Sequence, residues 1–214
     1  MTQEELQQLR QDYAKHALDE SDVNADPFEQ LKVWIEEALT AKVPEPNAFS
    51  LATVDKDGKP HNRVVLLKGM DERGIHFFTN YASDKGQEID DNPNVSVCFL
   101  WLELERQVRI DGVASKLTEE ENNEYFQVRP YKSQIGALAS NQSEIVENRS
   151  ILEDRFADLE RQYVEGEVPK PSTWGGYSIK PSSFEFWQGR RSRLHDRIKF
   201  EQENNQWIIK RLSP

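Results

Sequence analysis

After the proline-rich stretch VPEPN (43–47) the apolar residues stop recurring every three to four positions and begin to alternate. Alternation puts successive side chains on opposite faces of an extended chain. AFSLATVD (48–55), HNRVVLLK (61–68), GIHFFTN (74–80), NVSVCFLWL (94–102) and RQVRIDGVASKL (106–117) therefore read as strands. DKDGK (55–59) and DERG (71–74) carry hairpin-loop chemistry, and SDKGQEIDDNP (83–93) reads as a short helix. Five strands with short antiparallel links predict a barrel rather than a parallel sheet.

Helix signals flank this block. Thr2 and Glu5 form a capping box before Leu6, Leu9 and Tyr13, which predicts a helix over about 3–17. Asp26-Pro27 starts a second helix with an apolar face of Phe28, Leu31, Trp34, Ala38 and Leu39, so residues 1–42 form a helical segment. Thr118 and Glu121 open a third helix, and 143–163 reads as a long amphipathic one with Ser143 as a natural N-cap. Beyond the Pro/Gly loop 166–176, strands return at 176–181, 183–189, 192–201 and 206–212. Strands at both ends with helices between them predict one α+β domain spanning 1–214.

The chain holds 38 Asp+Glu against 27 Lys+Arg, a formal net charge of −11, which argues against a nucleic-acid or anionic-membrane partner. Any anion site must be local. The single Cys98, in the apolar run VSVCFLW, excludes an intramolecular disulfide and reads as a buried inert thiol. With no signal-peptide pattern and no stretch near the roughly 20 apolar residues of a membrane span, a cytoplasmic location is expected. Four scattered histidines (16, 61, 76 and 195) give no metal pattern, and there is no Gly-rich phosphate loop or nucleophile elbow. Anion donors without a protein-borne reactive group suggest that a cofactor carries the chemistry.

Three stretches collect the donors. In GRRSRLHDR (189–197), strand alternation puts Arg193, His195 and Arg197 on one face and Leu194, Asp196 and Ile198 on the other. An anion site and a solvated edge strand both fit that spacing. In NRVVLLK, parity sets Arg63 and Lys68 on opposite faces unless a bulge intervenes, and two snorkelling surface residues are the alternative. On a helix, Tyr125 and Arg129 share a face, with Ser133 four further on beyond Pro130, a composition suited to phosphate. Gln142-Ser143 at a helix N-terminus would also suit phosphate, and a plain cap explains it as well.

RVVLLKG, FFTNYASDKGQEIDDNP, ERQVRIDG, YFQVRPYKSQIGALASNQS, PSTWGGY and FEFWQGRRSRLHDR occur in that order. Together they resemble the pyridoxine (pyridoxamine) 5′-phosphate oxidase family, FMN enzymes that make pyridoxal 5′-phosphate. The resemblance implies a split β-barrel with flanking helices, a homodimer, and FMN at the dimer interface. It implies FMN contacts from Arg63, Val64, Val65, Leu66, Leu67 and Lys68, from Phe78, Thr79, Lys85 and Gln107, and from Gln142, Ser143, Trp187 and Arg197. The substrate phosphate would fall to Lys68, Tyr125, Arg129 and Ser133. Arg193, Leu194 and His195 would lie at the pyridine ring, with Arg193 and His195 catalytic, and Arg10 and Tyr13 on the first helix would close over the substrate. Asp84 stands where the family often carries arginine and is left out of the site. The resemblance further implies oxidation of pyridoxine and pyridoxamine 5′-phosphates by O2, giving hydrogen peroxide. A non-catalytic FMN or pyridoxal phosphate binder and a flavin reductase are the alternatives. Two phosphates of about −1.5 to −2 each would face Arg63, Lys68, Lys85, Arg129 and Arg197.

Overall fold

The computed structural model describes residues 1–9, 12–204 and 206–214. Helix α1, Gln3–Gln8, is shorter than expected. Its Thr2–Glu5 capping box forms as read, but Leu9 is already extended and no residue of the helix is buried. A short isolated helix has little to sustain it without a packed face, so Tyr13 lies on non-helical chain. Helix α2, Pro27–Thr40, begins where Asp26 accepts a hydrogen bond from the Phe28 amide. It buries Leu31, Trp34 and Ala38, whereas Leu39, expected on the apolar face, is exposed.

The strands are β1 (Ala48–Val54), β2 (Pro60–Leu66), β3 (Gly69–Asp71), β4 (Gly74–Asn80), β5 (Asn94–Trp101) and β6 (Arg106–Lys116), with helix α3 (Asp84–Asp91) between β4 and β5. Then come α4 (Glu119–Gln127), α5 (Tyr131–Ala139), α6 (Arg149–Gln162), β7 (Trp174–Gln188), β8 (Asp196–Glu203) and β9 (Gln206–Arg211). They form one nine-stranded sheet in the order β2-β1-β5-β6-β7-β4-β3, with β8 on β7 and β9 on β8.

Further expectations need correction. The strand expected over 61–68 stops at Leu66 and resumes as β3. The segments 176–181 and 183–189 are one strand, β7. The strand expected from residue 192 starts at Asp196, because Arg191–Arg193 form a tight turn in which Ser192 and Arg193 have φ of 57° and 61°. Helix α5 was not expected. The long helix starts at Arg149, capped by Asn148, while Ser143 sits outside any helix with φ 74°.

The chain divides into two compact units: residues 1–50, 97–111 and 181–214, and residues 51–96 and 112–180. The first unit has an aromatic core. Trp34 of α2 stands edge-on to Trp101 and Phe186, and Phe200 meets Phe186. The Arg106 guanidinium lies 4.5 Å over Trp34 and is held by Gln188 and Glu37. Antiparallel pairing of β7 and β8 sets Trp187 opposite Arg197 and Gln188 opposite Asp196.

In the second unit β4 pairs antiparallel with β7 from Ile75↔Ile179 to Asn80↔Trp174. A cluster of Phe126, Ile135, Val168 and Trp174 joins α4 and α5 to that ladder. Buried Asn122 of α4 accepts a hydrogen bond from the Gly176 amide at 2.8 Å and donates to Tyr81 Oη at 3.1 Å. Tyr81 Oη in turn donates to Gly176 O at 2.9 Å. A Cβ at Gly175 would lie 2.2 Å from Tyr81 Oη, so only glycine permits this approach.

Asn122→Ala should cost about 1–3 kcal/mol in urea unfolding, because the buried Gly176 amide is left without an acceptor. Asn123→Ala, on the exposed neighbour, should stay within about 0.5 kcal/mol of the parent. Equal midpoints for the two variants would refute the bridging role of Asn122.

Candidate functional site

A cavity of about 990 Å³ opens in the second unit. Its first wall is β2 and the chain after it: Arg63, Val64, Val65, Leu66 and Lys68 line it, whereas Leu67 does not. Strict alternation would have separated Arg63 from Lys68. The strand ends at Leu66, the Lys68 amide donates to His76 O at 2.8 Å, and both cations reach the same cavity.

The second wall is aromatic. Phe78 of β4 stacks with Tyr125 at 4.0 Å and with Trp174 at 5.3 Å between ring centroids, and Tyr125 and Trp174 lie 6.2 Å apart. The Arg129 guanidinium lies 4.7 Å over Trp174 and 5.6 Å over Phe126. Tyr125 belongs to α4, which ends at Gln127, so Arg129 sits between helices and Ser133 lies in the first turn of α5. Helix α4 stops short of Arg129 and a new helix begins after Pro130, yet all three residues line the cavity with Lys68. The break matters chemically. Arg129 Nη1 is buried without a hydrogen-bond partner. Burial lowers the Arg129 pKa and raises that of Tyr125. Among the described residues neither Lys68 nor Arg129 pairs with a carboxylate. A guanidinium in that state is a preformed anion receptor.

A second donor group lies where α3 begins. Lys85 is buried, and its Nζ donates to Gln142 Oε1 at 3.0 Å and Ser83 Oγ at 3.2 Å. Thr79 donates to the same Gln142 oxygen at 3.0 Å. The Lys85 pKa is lowered, chiefly by burial and then by Arg63. Ser143 accepts the Asp84 amide at 3.2 Å rather than capping a helix. Asp84, set aside on sequence grounds, lines the cavity. Sequence reasoning also missed Glu88. Its buried carboxylate receives Arg63 Nη2 at 2.9 Å and the Thr53 hydroxyl, while Arg63 also reaches Thr53. The available signal was Lys85 and Glu88 three apart on one face of α3.

The remaining candidates belong to the first unit. Arg197 donates to Glu185 Oε1 at 2.7 Å and to Ser213 O at 2.9 Å, and Glu185 raises its pKa. Of the five cations expected to face phosphate, Arg63 and Arg197 are each paired with a carboxylate, Glu88 and Glu185. The His195 ring lies 4.6 Å from Trp187 and 5.8 Å from Tyr13 between centroids. Its Nδ1 accepts the Arg190 amide at 3.1 Å, and burial, then Arg193, lower its pKa. Arg193 and Leu194 are exposed in the turn before β8, so alternation does not align Arg193 with Arg197. Gln107 is half-buried on β6. Arg10 lies outside the described residues. Among the described residues no group of three or more His, Cys, Asp or Glu could hold a metal, and no helix is long and apolar enough to cross a membrane.

Residues 35–163 match the family model described as pyridoxamine 5′-phosphate oxidase. Residues 174–214 match the C-terminal dimerisation region of pyridoxine 5′-phosphate oxidase. A pyridoxine/pyridoxamine 5′-phosphate oxidase of Burkholderia thailandensis is 51% identical over 98% of this chain and 99% of its own. One of Trichormus variabilis is 52% identical over 96% and 97%. Among solved structures, PhzG from Burkholderia lata 383, in complex with tetrahydrophenazine-1-carboxylic acid, superposes with TM-score 0.89. It is 33% identical and is matched over 94% of this chain and 99% of its own. A pyridoxamine 5′-phosphate oxidase-related, FMN binding protein of Nostoc punctiforme, 16% identical over 84% of this chain and 95% of its own, shares the fold with TM-score 0.68. The expected α+β split-barrel fold is the fold observed.

Arg129→Met keeps the apolar stem and removes the buried donor without a partner. The ligand-free variant should be more stable than the parent by about 1 kcal/mol in urea unfolding, since an unsatisfied buried polar group costs about 1–3 kcal/mol. Stabilisation of the parent by added inorganic phosphate should disappear in the variant. A destabilised variant still protected by phosphate would count against Arg129 as the receptor.

Proposed function

The chain belongs to the pyridoxamine 5′-phosphate oxidase family, and from that membership we propose that it oxidises pyridoxine and pyridoxamine 5′-phosphates to pyridoxal 5′-phosphate. The cofactor in this reading is FMN, and O2 is reduced to hydrogen peroxide. The observation that carries the reading is the buried Nη1 of Arg129, without a hydrogen-bond partner, beside Lys68, Tyr125 and Ser133 in an aromatic-walled cavity.

Lys68, Tyr125, Arg129 and Ser133 hold the substrate phosphate. Arg63, Lys85, Thr79, Gln142 and Ser143 fit a second phosphate, that of the flavin, as the buried Lys85 and the donors around it suggest. Val64–Leu67, Phe78, Gln107, Trp187 and Arg197 complete the flavin contacts; the dimerisation-region match supports a homodimer, and in this reading FMN lies at its interface. FMN, when bound, supplies the two-electron acceptor that the side chains lack. The protein binds, orients and excludes water. Arg193 and His195 orient the pyridine ring, Leu194 flanks it, and Arg10 and Tyr13 close over it. In the balance, C4′ of pyridoxine phosphate loses two electrons and two protons to give the aldehyde. Pyridoxamine phosphate loses the same to an imine, which water converts to the aldehyde and ammonia. The reaction belongs to vitamin B6 metabolism in the cytoplasm.

Purified yellow protein mixed with pyridoxamine phosphate in air should give pyridoxal phosphate and peroxide without NAD(P)H, and acid should release all its flavin as FMN. A requirement for NAD(P)H, or no turnover at all, would defeat the reading. Arg129→Met should lose about 2–4 kcal/mol in kcat/KM, on the scale of a lost buried charged contact, while keeping its flavin. Unphosphorylated pyridoxine should be a very poor substrate for the parent.

A further inference from the structure

The turn between β7 and β8 treats the two nitrogens of His195 differently. Nδ1 accepts the Arg190 main-chain amide at 3.1 Å. An amide N–H can only donate, so Nδ1 keeps its lone pair and a neutral ring carries its proton on Nε2. The neighbouring carboxylate is engaged elsewhere. Asp196 Oδ2 receives Arg190 Nη1 at 2.8 Å and the Leu18 amide at 3.0 Å, and Oδ1 receives Arg211 Nη1 at 3.1 Å. Asp196 therefore clamps the arginine whose amide meets the ring. Gly189, just before it, is anchored by its amide to Glu105 O at 2.8 Å. Trp187 and Tyr13 pack against the ring. The charged groups about this turn are Arg190, Arg191, Arg193, Asp196 and Arg211, with Glu105 behind Gly189.

We propose that the Arg190 amide fixes His195 as the neutral imidazole with its proton on Nε2, so that the ring serves the substrate as a hydrogen-bond donor and not as a general base, and that Asp196 is the positioning residue that holds Arg190 for this task. The proposal rests on the reading of His195 as a residue at the substrate's pyridine ring, and deepens it. An Nε2–H donor suits an electron-rich acceptor atom on the substrate. Removal of the substrate's proton then falls to another group or to solvent.

The test is ¹⁵N NMR of the ring nitrogens in the flavin-loaded protein near pH 7.5. His195→Gln assigns the signal by its disappearance from those of the four histidines. The expected spectrum shows a protonated Nε2 and an acceptor-type Nδ1. In Asp196→Ala, both tautomers should become populated. A proton on Nδ1, or an imidazolium, in the parent would overturn the proposal. An unchanged tautomer in Asp196→Ala would overturn the role of Asp196. Turnover supplies an independent arm. Glutamine can place a donor near the position of Nε2, whereas asparagine reaches only to that of Nδ1. Both variants should be impaired, with kcat/KM of His195→Gln about tenfold above that of His195→Asn, the worth of one hydrogen bond. Equal values, or the reverse order, would overturn the donor role. If the parent fails to oxidise pyridoxamine phosphate, the functional reading falls, while the NMR result still decides the tautomer.

Discussion

The bridge from Asn122 to Tyr81 and Gly176 is the constraint on which the cavity depends. One buried amide satisfies a strand N–H and a phenol at once, and so fixes α4 against β7. Tyr125 follows three residues later on the same helix, and Arg129 leaves its end. The stack of Tyr125, Phe78 and Trp174 is thereby set without any ligand. Holding a guanidinium unpaired in such a place is unfavourable for the fold, and the aromatic faces of Trp174 and Phe126 offset part of the cost.

Charge is distributed by the same logic. The chain is acidic, yet the cavity needs cations, and two of the arginines expected to serve ligands are backed by carboxylates. Glu88 supports Arg63, and Glu185 supports Arg197. A buried pair of this kind is a weak source of net stability, and its value lies in fixing direction. Arg63 is kept from folding back or roaming as a free surface arginine would. Lys68, Lys85 and Arg129 remain without a carboxylate partner among the described residues, enough to create a local positive field.

Most of the fold was legible because its cues are local. The alternation of GIHFFTN gave β4 to the residue, and Asp26-Pro27 marked the start of α2. The misses share a cause, which is tertiary context. No local signal shows that β2 must stop at Leu66 so that Lys68 can bond to His76. Helix α5 was hidden because Pro130, a residue type that ends helices, here stands as the N-cap of a new one. Ser143 has the composition of a cap, but its left-handed backbone serves the Asp84 amide instead. Many of the candidate donors line one cavity, because residue type alone limits what can bind phosphate. It missed Glu88, since a carboxylate is not what a search for anion donors looks for.

The turn at Arg191–Arg193 carries two consecutive residues in the left-handed region, neither of them glycine. For an L-residue that conformation costs roughly 1–2 kcal/mol, and glycine would relieve it. Selection for foldability alone would drift toward glycine at position 193. With the role proposed for Arg193 at the substrate ring, a mutational survey scored by stability and one scored by turnover should give opposite rankings at this position.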